Sequence, residues 1–269
     1  MSVLQKALDN EWYMKPIGEV VGMVGTELLG TPYVGWTLER DLNREYCYVS
    51  MDRLDCVTLF ETSLGFARML KRWDRDVRIL AGPNARIRRP LPGDLVSEVA
   101  WTRYRSGKPG DYSTRLHYTM DWMDDNAKKK VVKNVTPSLK GAIPFEKDIH
   151  FMSQHRNLYR QLVTNDSLFK RIQEMEKHVN SLKMSYLPKD QISKNEVNLR
   201  SGDILGWVTS QDGMDIAHTG LVIRKGERAH FLHASSTEKK VILDDRLASI
   251  ARRVAAYQGI MVVRPVELP

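Results

Sequence analysis

Four short apolar segments near the C-terminus set the tightest limit on the fold. They are ILGWVT (204–209), HTGLVIR (218–224), AHFLHASS (229–236) and KKVILD (239–244). Each has strand length, alternates or runs apolar, and lies a few residues from the next, which reads as an antiparallel sheet. A helix over 245–257 and a final strand, GIMVVRP, close the chain. Upstream, the apolar spacing is helical. Residues 3–13 and 16–29 read as two helices, the second stopped by Gly30. LDCVTLFETSLGFARML (54–70) repeats apolar or small residues at Leu59, Phe60, Ser63, Leu64 and Ala67, giving a helix to about Lys71. Leu168, Phe169, Ile172, Met175, Val179 and Leu182 form one stripe within a helical stretch, 151–182, capped by Asn165, Asp166 or Ser167. Helices first and an antiparallel sheet after them give the class α+β.

The middle reads differently. A strand-like piece near 45–50 leads into the helix at 54–70. The stretch 78–140 reads as mainly extended, with DLVSEVAWTRYR and STRLHYTMDWM as strands around the turn SGKPGD. Residues 187–203, polar and turn-rich, read as a linker inside one domain covering 1–269.

Composition excludes several classes of protein. A 42% hydrophobic share without repeats or low-complexity tracts indicates a globular chain. No apolar run is long enough to span a bilayer. The N-terminus carries charges throughout and has no signal-like apolar core, so the expectation is a cytoplasmic protein, or a periplasmic or envelope one whose signal was removed. Lys and Arg outnumber Asp and Glu by 41 to 33, for a net charge of +8. The basic residues are scattered, and the densest run, AKKKVVK (127–133), is too short for a nucleic-acid stripe and lacks any such motif, so no nucleic-acid partner is expected. Two cysteines make no disulfide framework and no zinc pattern, so neither metal nor cofactor is expected.

Cys47 lies in EYCYVSM and reads as a core residue. Cys56 is different. Asp55 before it is a helix N-cap, so the thiol occupies the first helical position, where the dipole favours an anion and eases ionisation. A small buried residue at a helix start is the competing reading. Of seven histidines, His150, His155 and His178 fall in helical segments, and His117 alone is weak evidence. His218 and His233 fall in the sheet. Alternation puts His218, Gly220 and Val222 on one face of their strand, where the Cys56 helix is expected to pack. On the next strand Phe231, His233 and Ser235 share a face that His230 cannot. Thiol, base and a residue orienting the base form a nucleophilic constellation.

GTPYVGW before LDCVT, followed by HTGLVI and LHASS, resembles the NlpC-type papain-like cell-wall peptidases. A narrower resemblance covers nearly the whole chain through LGTPYVGWTLE, LDCVTLFET, RLHYTMDWMDDN, FMSQHRNLY, GDILGWVTSQDGMDIAHTGLV and LHASS: the N-acetylmuramoyl-L-alanine amidase-like branch. The resemblance implies a papain-like core, a cysteine helix packed on an antiparallel sheet, with 78–185 as a large insertion shaping the substrate site. It implies Cys56 as nucleophile, His218 as base, His233 as the residue orienting it, and Tyr33 and Asp55 as substrate-binding. The implied reaction cuts the amide between the muramyl lactyl group and L-alanine, in bacterial cell-wall turnover fragments ending in 1,6-anhydro-muramic acid. The family's usual DCSG is DCVT here, and apolar Val57 argues against a docking point for a free peptide amine. A γ-D-glutamyl-diamino acid endopeptidase and a non-catalytic peptidoglycan-binding module are the alternatives. Trp101, Tyr104, Tyr118 and Trp122 read either as sugar-stacking surfaces or as core.

Overall fold

The computed structural model describes residues 2–80 and 89–269, with only the backbone described at 78–80. In chain order the helices and strands are α1 (Val3–Asp9), α2 (Ile17–Glu27), α3 (Cys56–Leu80), α4 (Pro92–Arg103), α5 (Thr119–Lys128), β1 (Val132–Asn134), β2 (Ile143–Pro144), α6 (Phe151–Gln154), α7 (Arg160–Val163), α8 (Asp166–Ser181), β3 (Ser185–Pro188), α9 (Ile192–Asn195), β4 (Ile204–Thr209), β5 (Ile216–Lys225), β6 (Arg228–Ser235), β7 (Lys240–Arg246), α10 (Leu247–Arg253) and β8 (Tyr257–Pro265). The strands form one antiparallel sheet in the order β2-β3-β8-β4-β5-β6-β7, with β1 pairing β8 from outside that path.

Alternation along the central strands feeds two cores. Ile204, Val208, Leu221, Leu232 and Ala234 join Val20, Val24, Leu59, Phe60 and Leu64 of α2 and α3 on one face. Leu205, Trp207, Val222 and Phe231 join Leu247 and Ile250 of α10 on the other. A two-residue period therefore gives each strand one apolar set for each layer. The stripe on α8 is buried as its spacing predicts, and Asn165 caps it by accepting from the Leu168 amide.

The middle of the chain departs from expectation. No strand forms at 45–50, and DLVSEVAWTRYR and the second half of STRLHYTMDWM are helices α4 and α5. Residues 81–88 of the stretch expected to be extended lie outside the described residues. Pro92 at the first turn and Asp94, which accepts from the Leu91 amide, start α4 as a helix. Its fate is decided by α3. A Cβ at Gly65 would stand 2.6 Å from Val99 Cγ2, so the bare position lets α4 lie close against it. α3 itself continues past Lys71 to Leu80. Residues 187–203 are not a plain linker: they hold the end of β3 and α9, with Ile192, Asn195 and Glu196 buried. The 78–185 region shares the core of α3, as the edge-on contact of Phe60 with Trp122 at 5.0 Å shows.

Candidate active site

Asp55 begins the site. Its Oδ1 accepts from the amides of Val57 and Thr58, at 3.1 and 2.8 Å, and from the Thr58 hydroxyl. Its Oδ2 accepts from the Thr37 hydroxyl at 2.8 Å. The carboxylate thus fixes the first turn of α3 and ties it to the segment carrying Tyr33. That segment runs beside residue 54: Val34 N donates to Leu54 O, and Leu54 N to Pro32 O. Cys56 follows as the first helical residue and is partly open to solvent.

The expected ease of ionisation is overturned. Burial first, then the adjacent Asp55 carboxylate, push the Cys56 thiol up to about 11, against the opposing help of the Thr219 hydroxyl and amide and its own amide. Desolvation outweighs these hydrogen bonds. Tyr33 stands close enough that, after burial, the charges of Cys56 and Asp55 raise its phenol.

The packing face also differs from expectation. Leu221 and Leu232 lie against α3, whereas Val222 and Phe231 fill the opposite core. The thiol meets β5 at Thr219, one residue beyond His218. Thr219 Oγ1 is buried and has no other partner, so its hydroxyl is available to the sulfur. The His218 ring lies edge-on to Phe231 at 5.7 Å. A register shift between Trp207 and Val208, opposite Ala217, comes immediately before His218. Such a bulge increases local twist and re-aims the side chains at a strand end. No hydrogen bond joins the Cys56 sulfur to the His218 ring among the described residues.

The two histidines do meet. His218 Nε2 and His233 Nδ1 are 2.7 Å apart. A Cβ at Gly220 would stand 2.4 Å from Leu232 O and 2.8 Å from the Phe231 ring, so glycine lets that ring fill the space between the strands. Phe231 in turn stacks on His233 at 4.8 Å. His233 Nε2 lies 3.5 Å from Asp244 Oδ2, and Arg253 donates to the same carboxylate at 2.6 Å. Burial works against the Asp244 charge, but the Asp245 amide, Arg253 and His233 hold its carboxyl below the usual range. Burial, then neighbouring His233, lower His218 to about 3, with Asp244 opposing. Burial also lowers His233, against the pull of Asp244.

A charged Asp244 favours the His233 tautomer with hydrogen on Nε2, leaving Nδ1 as acceptor. His218 must then donate from Nε2, so its Nδ1 is unprotonated and free to take a proton. Tyr257 joins the two sides of the site. Its phenol, pushed up to about 12, is raised by burial, then by Cys56 and Asp244, and its ring stacks on Trp207 at 4.7 Å. Trp207 is the cross-strand partner of His218.

Sequence reasoning missed Thr37, Thr219, Asp244 and Tyr257. Asp244 had a signal: it lies two residues from Ile242, the β-partner of His233, and so on the same face. Of the four aromatics weighed as sugar contacts, Tyr104, Tyr118 and Trp122 are buried, and Lys129 Nζ lies 5.5 Å over Trp101. His117 is internal, its Nε2 2.8 Å from Tyr112 O. No group of three or more His, Cys, Asp or Glu among the described residues is placed to hold a metal ion. No helix among them is long and apolar enough to cross a membrane.

The chain belongs to the AmiA-like family, N-acetylmuramoyl-L-alanine amidase-like, whose model matches residues 23–255. An N-acetylmuramoyl-L-alanine amidase from Bacteroides uniformis is similar in structure, with a TM-score of 0.80 and 26% identity over 93% of this chain and 99% of that one. A Bacteroides fragilis protein described, provisionally, as a xylanase gives 0.74 and 27%, over 90% and 99%. A Legionella pneumophila protein at 19% identity, TM-score 0.67, over 97% and 93%, shares the fold. Among curated proteins no match to the sequence is found.

Proposed function

We infer that the protein is a papain-like cysteine amidase that hydrolyses the bond between the lactyl group of N-acetylmuramic acid and L-alanine in peptidoglycan turnover fragments, including 1,6-anhydro forms. The observation that carries this reading is the chain His218–His233–Asp244, at 2.7 and 3.5 Å, which crosses β5, β6 and β7 and begins on β5, the strand that Cys56 meets. Family membership supplies the substrate class. Thiol and imidazole are both neutral at rest, so His218 acts as a general base at the moment of attack rather than as half of a standing ion pair.

In the first step the Cys56 Sγ–H proton passes to His218 Nδ1 while sulfur bonds to the lactyl carbonyl carbon. The carbonyl oxygen takes the electron pair, and the backbone N–H of Cys56 at the start of α3 is a natural donor to it. When the C–N bond breaks, His218 returns its proton to the alanine nitrogen, and the peptide leaves with a free amine. Water then attacks the thioester, gives its proton to His218, and releases the muramyl acid and the thiol. His233 and Asp244 hold the base in the required tautomer throughout.

The fully occupied Asp55 supports the same cut. Its oxygens already cap α3 and hold Thr37, and Val57 offers no side-chain partner for a stem-peptide amine. Mass spectrometry of defined muropeptides incubated with wild type and Cys56→Ala tests the reading. Disaccharide plus an intact stem peptide from wild type alone is expected. Disaccharide-L-Ala-D-Glu plus a shorter peptide would make it an endopeptidase, and unchanged substrate with both proteins would overturn catalysis of this bond.

A further inference from the structure

We propose that Trp36 is the sugar-binding platform of this site, stacking its indole on the pyranose ring that carries the scissile lactyl amide. The inference rests on the amidase reading for the identity of the sugar. It rests on the strap 33–37 for the place. Tyr33 N donates to Lys239 O, Val34 N to Leu54 O, and the Thr37 hydroxyl to Asp55, so the strap is fixed against the residues immediately before Cys56. A Cβ at Gly35 would stand 3.5 Å from the Tyr33 hydroxyl, whose phenol senses Cys56 and Asp55. Trp36 immediately precedes Thr37, whose hydroxyl binds the carboxylate that caps the helix of Cys56.

Folding does not account for an indole there. Trp36 is 69% exposed, the most exposed large apolar side chain among the described residues. Its φ of 60° is in the left-handed region, where glycine or asparagine would sit with less strain. A single exposed apolar residue is ordinary. One held on an unfavourable backbone, next to a residue anchored beside a nucleophile, is a candidate contact for a ligand. Of the other aromatics with the shape for stacking, Tyr104, Tyr118 and Trp122 are buried, and Trp101, 40% exposed, has Lys129 Nζ 5.5 Å over its ring. The lactyl carbonyl is three bonds from the pyranose ring, roughly 4 Å. A sugar attached to a carbonyl under attack by Cys56 therefore sits beside the nucleophile, the region against which this strap is bonded. Its axial C–H groups match the electron-rich indole face.

Calorimetric titration of Cys56→Ala protein with an intact disaccharide-peptide, and separately with the stem peptide alone, tests the proposal. Adding Trp36→Ala is expected to weaken disaccharide-peptide binding about tenfold and to leave the peptide alone unaffected, while Trp36→Phe restores most of the loss. Equal losses for both ligands would assign Trp36 to holding the strap in place and overturn the proposal. No loss for either would overturn it too. Because these titrations use inactive protein, they are independent of the cleavage assay: Trp36-dependent sugar binding without cleavage by wild type would sink the amidase reading alone, and cleavage without Trp36 dependence would sink the platform alone.

Discussion

At Cys56 the helix start and the burial of the thiol act in opposite directions, and burial prevails. The thiol is raised to about 11 and His218 is lowered to about 3, so both are neutral across the physiological range. Alkylation by iodoacetamide is therefore expected to be slow at pH 7 and to climb steeply above pH 9. A plateau already reached at pH 6, the mark of a standing thiolate–imidazolium pair, would contradict this. Asp244 sets the tautomer of the relay, so Asp244→Asn is expected to lower kcat about 10- to 100-fold, a part of what general acid–base catalysis contributes, with little change in KM. A matching loss in His233→Ala, and no further loss in the double variant, would identify one shared chain of hydrogen bonds. Cys56, His218 and His233 were legible as residue types at a spacing. Thr219 was not, because which face of β5 meets α3 depends on the apolar partners across the sheet.

At the scale of elements, α3 is held by charges as well as by its apolar stripe. Arg103 of α4 donates to Glu61 of α3 at 2.7 Å, both side chains almost fully buried, and its Nη1 reaches Tyr48 O at 2.6 Å. Arg115 binds Glu39 and Glu45, and the Tyr104 hydroxyl donates to Glu45, so the irregular segment between the Trp36 strap and α3 is tied down without forming a strand. Arg103→Met leaves Glu61 buried without its partner. The expected cost is about 3–5 kcal/mol in urea denaturation, and Glu61→Leu with Arg103→Met is expected to recover much of it. An unchanged midpoint in the single variant would show that the pair contributes nothing. The sequence of α4 reads as alternating, and only the contact of Gly65 with Val99 shows why a helix was needed there.

Over the whole molecule, two histidines packed in the fold contribute to the response to acid. Burial, then Arg115, lower His117 to about 3, against its bond to the Tyr112 carbonyl, and His218 stands at about the same value. The unfolded chain takes up protons at these positions near pH 6.5, well before the folded protein does. Stability is therefore full above that pH and is lost as pH falls toward 3. Asp215, which burial raises to about 6 from 3.8, works the other way between those values, as do Glu61, Asp121 and Asp203, also raised by burial, while the lowered His233 acts with the other two histidines. Melting temperature is expected to fall through the range from pH 6.5 to 3, with a shallower slope in His117→Gln. Equal slopes would exclude His117 as a source.

The sequence by itself determined the α+β class, the four-strand C-terminal run, the capped helix that starts at Cys56, and the candidates His218 and His233. Each of these follows from local periodicity or capping, which neighbouring residues carry. The tertiary structure decided the rest. It packed α4 as a helix against Gly65 of α3, it brought Asp244 to His233 through strand register, and it raised the Cys56 thiol through burial. Those properties depend on residues far apart in the chain, and desolvation has no sequence signature until the fold has closed around the group.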